Sequence, residues 1–172
     1  MLKAAGCCLV VYASFMTGHA IGQRQLRMVK ELEELLLFIQ LVKGQIIYAG
    51  PELPEILQDS EARLSGTIRQ WVHRLVELLD MDSDMTFAQL WTESTTVLAE
   101  KSALSPAMVA DVDRLGKIVG DMDVDAQISR INLVEDILTD RYQRERERCG
   151  GVRRLSDSLG LLGGIFIVIL LM

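Results

Sequence analysis

Two uncharged runs bracket this chain, and they constrain its fold more than any other feature. Ala4 to Gln23 holds 20 residues without a formal charge, and Ser158 to Met172 holds another 15. A helix needs about 20 predominantly apolar residues to cross the roughly 30 Å hydrocarbon core of a bilayer. The first run meets that length. The second rises only about 22 Å at about 1.5 Å per residue. Extending it back to Leu155 includes Asp157, which then has to sit at the membrane interface, because charge at the bilayer centre is costly. The mean hydropathy of +0.23, although 24% of residues are charged, reflects this concentration of apolar residues at the ends.

A cleaved signal peptide is the competing reading of the first run, since Lys3 precedes Leu9, Val10 and Val11. The stretch from Phe15 to Ala20 offers no clear small-x-small cleavage site, and the arginines follow the run, so an uncleaved anchor is expected. Cys7 follows Ala4-Ala5-Gly6, but no apolar region precedes it, which removes a lipoprotein reading. In the second run, Gly160, Gly163 and Gly164 would let a neighbouring helix approach closely, although glycine is common in membrane helices in any case.

Charge is distributed as unevenly as hydropathy. Arg24, Arg27 and Lys30 form a local +3 directly after the first run. Residues 31–140 hold 21 acidic and 8 basic side chains, a net of −13. Arg141, Arg144, Arg146, Arg148, Arg153 and Arg154, against Glu145 and Glu147, then form a net +4 before the second run. Basic residues beside a membrane segment are retained on the cytoplasmic side. The expected organisation is therefore an N-terminal transmembrane anchor at 1–23, a cytoplasmic helical bundle at 24–154 and a C-terminal transmembrane helix at 155–172. A pI near 5.0 argues against general nucleic-acid binding. Three cysteines cannot build a disulfide framework.

The middle of the chain reads as helix throughout. Leu26, Val29, Leu32, Leu36, Ile39, Val42 or Lys43, and Ile46 recur at steps of three and four across Gln23 to Ala49, and Gly50-Pro51 ends the pattern. Pro54 opens a short helix to about Arg63. Ile68, Trp71, Val72, Leu75, Leu78 and Leu79 mark one face of Thr67 to Leu79. Thr86 followed by Gln89 reads as a capping box, opening a helix to about Ala103. Ser105-Pro106 is a cap followed by proline at the first helical position, opening Ala107 to Val119. A last helix over Val124 to Arg148 presents Ile128, Ile131, Val134, Leu138 and Tyr142. Two-residue alternation is nowhere sustained. The fold class is all-α, with Trp71 and Trp91 as core anchors.

Chemistry-bearing motifs are sparse. Asp121, Asp123 and Asp125 resemble the start of a calcium loop, but the sixth and twelfth positions, which need glycine and glutamate, are Ala126 and Asn132. Carboxylates at a helix start, favoured by the dipole, account for them better. His19 and His73 have no Cys or His partner at zinc-ligand spacing. Cys149 reads as a spectator thiol. No phosphate-cradling loop, nucleophile elbow or HExxH pair is present. No cofactor, no small-molecule substrate and no enzymatic activity are expected.

Several stretches in order along the chain resemble the stage III sporulation protein AB family of endospore-forming Firmicutes. They are Met1-Leu2-Lys3 with Gly6; Arg27 and Glu33 in a first helix closing on Ile46-Ile47-Tyr48; Leu115-Gly116 and Gly120 ahead of Asp123 and Gln127; and Ser158-Leu159-Gly160-Leu161 with the terminal Ile169 to Met172. Ala49 stands where the family usually has glycine, and Gly50-Pro51-Glu52-Leu53 varies its Thr-Pro-Leu turn. The resemblance implies a mother-cell membrane component of the channel complex facing the forespore. It also implies a helical domain similar to those of the type II secretion platform protein, and a secretion-type ATPase, stage III sporulation protein AA, as partner beside other channel components. Asp111, Asp113, Asp121 and Asp123 are then expected to meet that partner, while the flanking basic residues orient the domain on membrane lipid. The alternatives are a small membrane-bound enzyme using Asp121, Asp123 and Asp125 for metal, and a helical adaptor unrelated to sporulation.

Overall fold

The computed structural model describes residues 2–48, 53–81, 84–119 and 128–149. They are helical apart from short connections, with no strand among the described residues. The elements are α1 (Leu2–Tyr48), α2 (Leu53–Arg63), α3 (Gly66–Asp80), α4 (Phe87–Lys101), α5 (Pro106–Val119) and α6 (128–149). The first helix is longer than its sequence suggested. No proline interrupts residues 2–48, so the segment expected as an anchor and the amphipathic helix after it run on as one 47-residue helix. Among the described residues no helix is long and apolar enough to cross a membrane. Ala4–Gln23 continues as helical backbone within α1 with most of its side chains outside the description, and the expected second span, 155–172, lies outside the described residues.

Local chemistry sets the helix starts. The Thr86 hydroxyl accepts from Gln89 N, and Gln89 Oε1 accepts from Thr86 N at 2.8 Å, closing the expected capping box at α4. The Ser105 hydroxyl accepts from Met108 N at 3.4 Å, so α5 opens on the serine-proline pair. At α3 the turn after α2 requires φ of +59° at Gly66, a left-handed value that side chains resist.

The chain divides into two compact units: a central one, Lys30–Tyr142, and a terminal one, Met1–Val29 with Gln143–Met172. In the central unit α2, α3, α4 and α5 pack as consecutive neighbours. Its core is aromatic. Phe38 of α1 meets Trp71 of α3 edge-on at 5.1 Å, and Trp71 meets Trp91 of α4 edge-on at 5.2 Å. Both indoles are buried with their N–H groups satisfied. Trp71 Nε1 donates to Ser94 Oγ at 2.9 Å, and Trp91 Nε1 donates to the Val112 carbonyl at 2.9 Å. That last bond needs close approach to α5. Gly116 provides it, since a Cβ there would overlap Trp91 Cγ and Cδ1. Leu32, Leu35, Val42, Ile68, Leu75, Leu98, Val112, Ile131 and Leu138 complete the core. Leu26, expected on the buried face of α1, is instead exposed.

Candidate interaction surfaces

Three carboxylates of the central unit tie α1 to other elements. Glu31 of α1 is 7% exposed; its Oε2 accepts from Ala103 N at 2.6 Å and its Oε1 from Thr67 Oγ1 at 2.9 Å. One turn on, Glu34 accepts from Ser65 N at 2.9 Å and from Ser65 Oγ at 2.6 Å. The serine hydroxyl therefore serves Glu34 rather than capping α3 itself, and the glutamate's charge sits near the positive end of that helix. Glu135 of α6 faces Lys43 Nζ at 2.7 Å and Gln40 Nε2 at 3.2 Å, both on α1. The Lys43 ammonium, donating to it, holds its carboxyl below the usual carboxylate range, with Gln40 helping and partial burial opposing.

Of the four acidic residues expected to face a partner, Asp121 and Asp123 lie outside the described residues, as does Asp125. Asp111 is matched within the central unit. Its Oδ1 lies 3.2 Å from Arg114 Nη1, and its Oδ2 lies 2.7 Å from Arg141 Nη2, close but not aligned as a hydrogen bond. Asp113 is half-buried, and its Oδ1 has no hydrogen-bond partner among the described residues. The structure thus joins one residue of the acidic set, Asp111, to one of the basic set, Arg141. His73 sits on the α3 surface between Glu61 at 3.1 Å and Glu77 at 3.5 Å. No group of three His, Cys, Asp or Glu among the described residues could hold a metal ion.

The basic residues divide between the units. Lys30 and Arg141 belong to the central one; Arg24, Arg27, Arg144, Arg146 and Arg148 belong to the terminal one and are all exposed. Arg153 and Arg154 lie outside the described residues. Within the terminal unit Gln25 Nε2 donates to Glu145 Oε2 at 2.7 Å, pinning α1 to α6 beside these arginines. By formal charge, Lys3 and the seven arginines of the terminal unit outweigh Glu145, Glu147 and Asp157 by five, which leaves −11 of the chain's −6 in the central unit. Sequence reasoning missed Glu31, Glu34 and Glu145 as internal ties. The available signal for the first two was a glutamate four residues before a core position, as Glu31 stands before Leu35 and Glu34 before Phe38.

Residues 3–172 match the family profile described as Stage III sporulation protein AB. A solved structure of a Stage III sporulation protein AB superposes with a TM-score of 0.67 at 17% identity, covering 72% of this chain and 97% of that one. At that identity the likeness speaks to the fold. No curated protein matched the sequence.

Proposed function

Since the chain belongs to the stage III sporulation protein AB family, we propose that it is a non-enzymatic membrane platform of the channel complex between mother cell and forespore. In this reading it sits in the mother-cell membrane, with residues 24–154 in the cytoplasm and the uncharged runs at 1–23 and 155–172 as spans. Its central unit couples a cytoplasmic secretion-type ATPase, stage III sporulation protein AA, to the other channel components. The observation that carries the reading is the division of charge between two compact units, with net positive charge in the one that contains both uncharged runs and −11 in the other. An anionic leaflet attracts the first and repels the second, so the acidic helical unit is presented to the cytoplasm. Complementary potentials then speed encounter with a basic partner surface more than they tighten the final complex.

Capture of the candidate ATPase by the full-length chain in detergent tests the coupling. Retention that weakens as salt rises is the expected result. No retention at low salt, with the chain folded by circular dichroism, would sink the ATPase assignment while leaving the family intact. The family match also sets aside the adaptor unrelated to sporulation.

A further inference from the structure

We propose that α6 pairs with α6 of a second copy of this chain, in parallel, through a seam centred on Leu133 and Ile137. The inference rests on the membrane reading above and adds a partner and a surface to it. Leu133 is 61% exposed and Ile137 is 41% exposed. Among the described residues they are the two exposed large apolar side chains that stand one turn apart on one helix. Ile131 and Leu138, buried in the core, and Glu135, bonded to α1, occupy the opposite side of α6. The helix thus carries two apolar stripes, one covered by the central unit and one meeting solvent.

The pattern favours a like helix as the cover. The step of four from Leu133 to Ile137 assigns them to d and a of a heptad, and leucine at d with isoleucine at a favours two parallel strands. That register makes Asp136 a g position and Arg141 the e position of the next heptad. Across a parallel pair those positions meet, so Asp136 of one copy faces Arg141 of the other, twice by symmetry. Asp136 is exposed. The Arg141 Nη2 already lies 2.7 Å from Asp111, but its side chain remains 31% exposed, and a guanidinium carries five N–H donors. The next seam positions outward, Arg130 and Asp140, are charged and engaged within their own chain, which limits the apolar contact to two layers. Two layers fall short of the about 1,200 Å² of a stable interface in free solution. Copies anchored in one bilayer point the same way and are concentrated there, and a raised effective concentration strengthens a weak contact without adding new ones. The shared membrane therefore supplies both the parallel direction and the missing affinity.

The test uses the full chain with Cys7, Cys8 and Cys149 replaced by serine and one new cysteine per variant, in membranes isolated from cells that produce it. On mild oxidation, Leu133→Cys and Ile137→Cys should each give disulfide-linked homodimers at severalfold the yield of Asp59→Cys, an exposed position on α2. Adding Asp136→Lys to the Leu133→Cys chain should lower the yield severalfold, because it sets like charges against Arg141 of the other copy. Equal yields at all three positions, in chain recovered with the membrane, overturn the pairing and leave the membrane reading standing. Cross-linking of position 133 only to position 137, when those two variants are co-produced, overturns the parallel direction. A cross-link to a different protein in place of the homodimer overturns the second copy as occupant. Recovery of the chain in the soluble fraction overturns the membrane reading and the parallel pairing with it.

Discussion

Trp71 and Trp91 illustrate how a single side chain can hold several helices. Each buries a large apolar surface and also places its one N–H on a defined acceptor, Ser94 or the Val112 carbonyl. Trp71→Ala should cost roughly 3–5 kcal/mol in denaturant unfolding. Gly116→Ala should cost roughly 1–3 kcal/mol through overpacking, because its new methyl group has to displace the Trp91 ring. A loss under about 0.5 kcal/mol would mean that Trp91 can move aside freely. Glu135 supplies a pH dependence. Its folded carboxyl is held below its ordinary value of 4.5, chiefly by the Lys43 ammonium. A depressed acid stabilises the fold above its unfolded value, and that stability is lost as pH falls through the folded value. Unfolding free energy should therefore decline on acidification below about pH 4.5, and Glu135→Gln should decline less. Parallel curves for the two proteins would disprove the link.

At the scale of elements, two connections are tied to α1 in addition to their own local bonds. Glu31 receives the Ala103 N–H across 72 residues of sequence, holding the α4–α5 connection against α1. Glu31→Ala leaves that amide without its acceptor in a buried position, at a cost of about 1–3 kcal/mol. Amide exchange at Ala103 and Leu104 should accelerate more than exchange within α3; uniform acceleration would indicate general destabilisation instead. The α5–α6 contact has a comparable tie in Asp111 and Arg141. A double-mutant cycle of Asp111→Asn and Arg141→Gln should give a coupling of about 1 kcal/mol, as expected for a half-buried ion pair. If the cycle is additive, the carboxylate is available to a partner, as the charge pattern alone had implied.

For the whole molecule, the consequence of charge is topological. In the proposed reading, the basic residues beside the two uncharged runs retain residues 24–154 on the cytoplasmic side. With the native cysteines removed, a cysteine replacing the exposed Asp59 of α2 should resist an impermeant thiol reagent in intact cells and react after permeabilisation. Ready labelling in intact cells would reverse the proposed orientation.

The sequence by itself determined the all-helical class and the starts of α4 and α5, because these depend on residues within one or two turns. The Thr86–Gln89 box and the Ser105-Pro106 pair open α4 and α5 as local chemistry dictates, and the faces of α3 and α6 follow from their spacing. Only the tertiary structure decided which charges meet. Periodicity marks Leu26 as apolar without showing that it stays exposed, and it counts Asp111, Arg141 and Glu145 as surface charge. Whether such a charge is presented or withdrawn depends on a partner tens of residues away. That pairing is set by how the helices pack, and no local pattern in the chain encodes it.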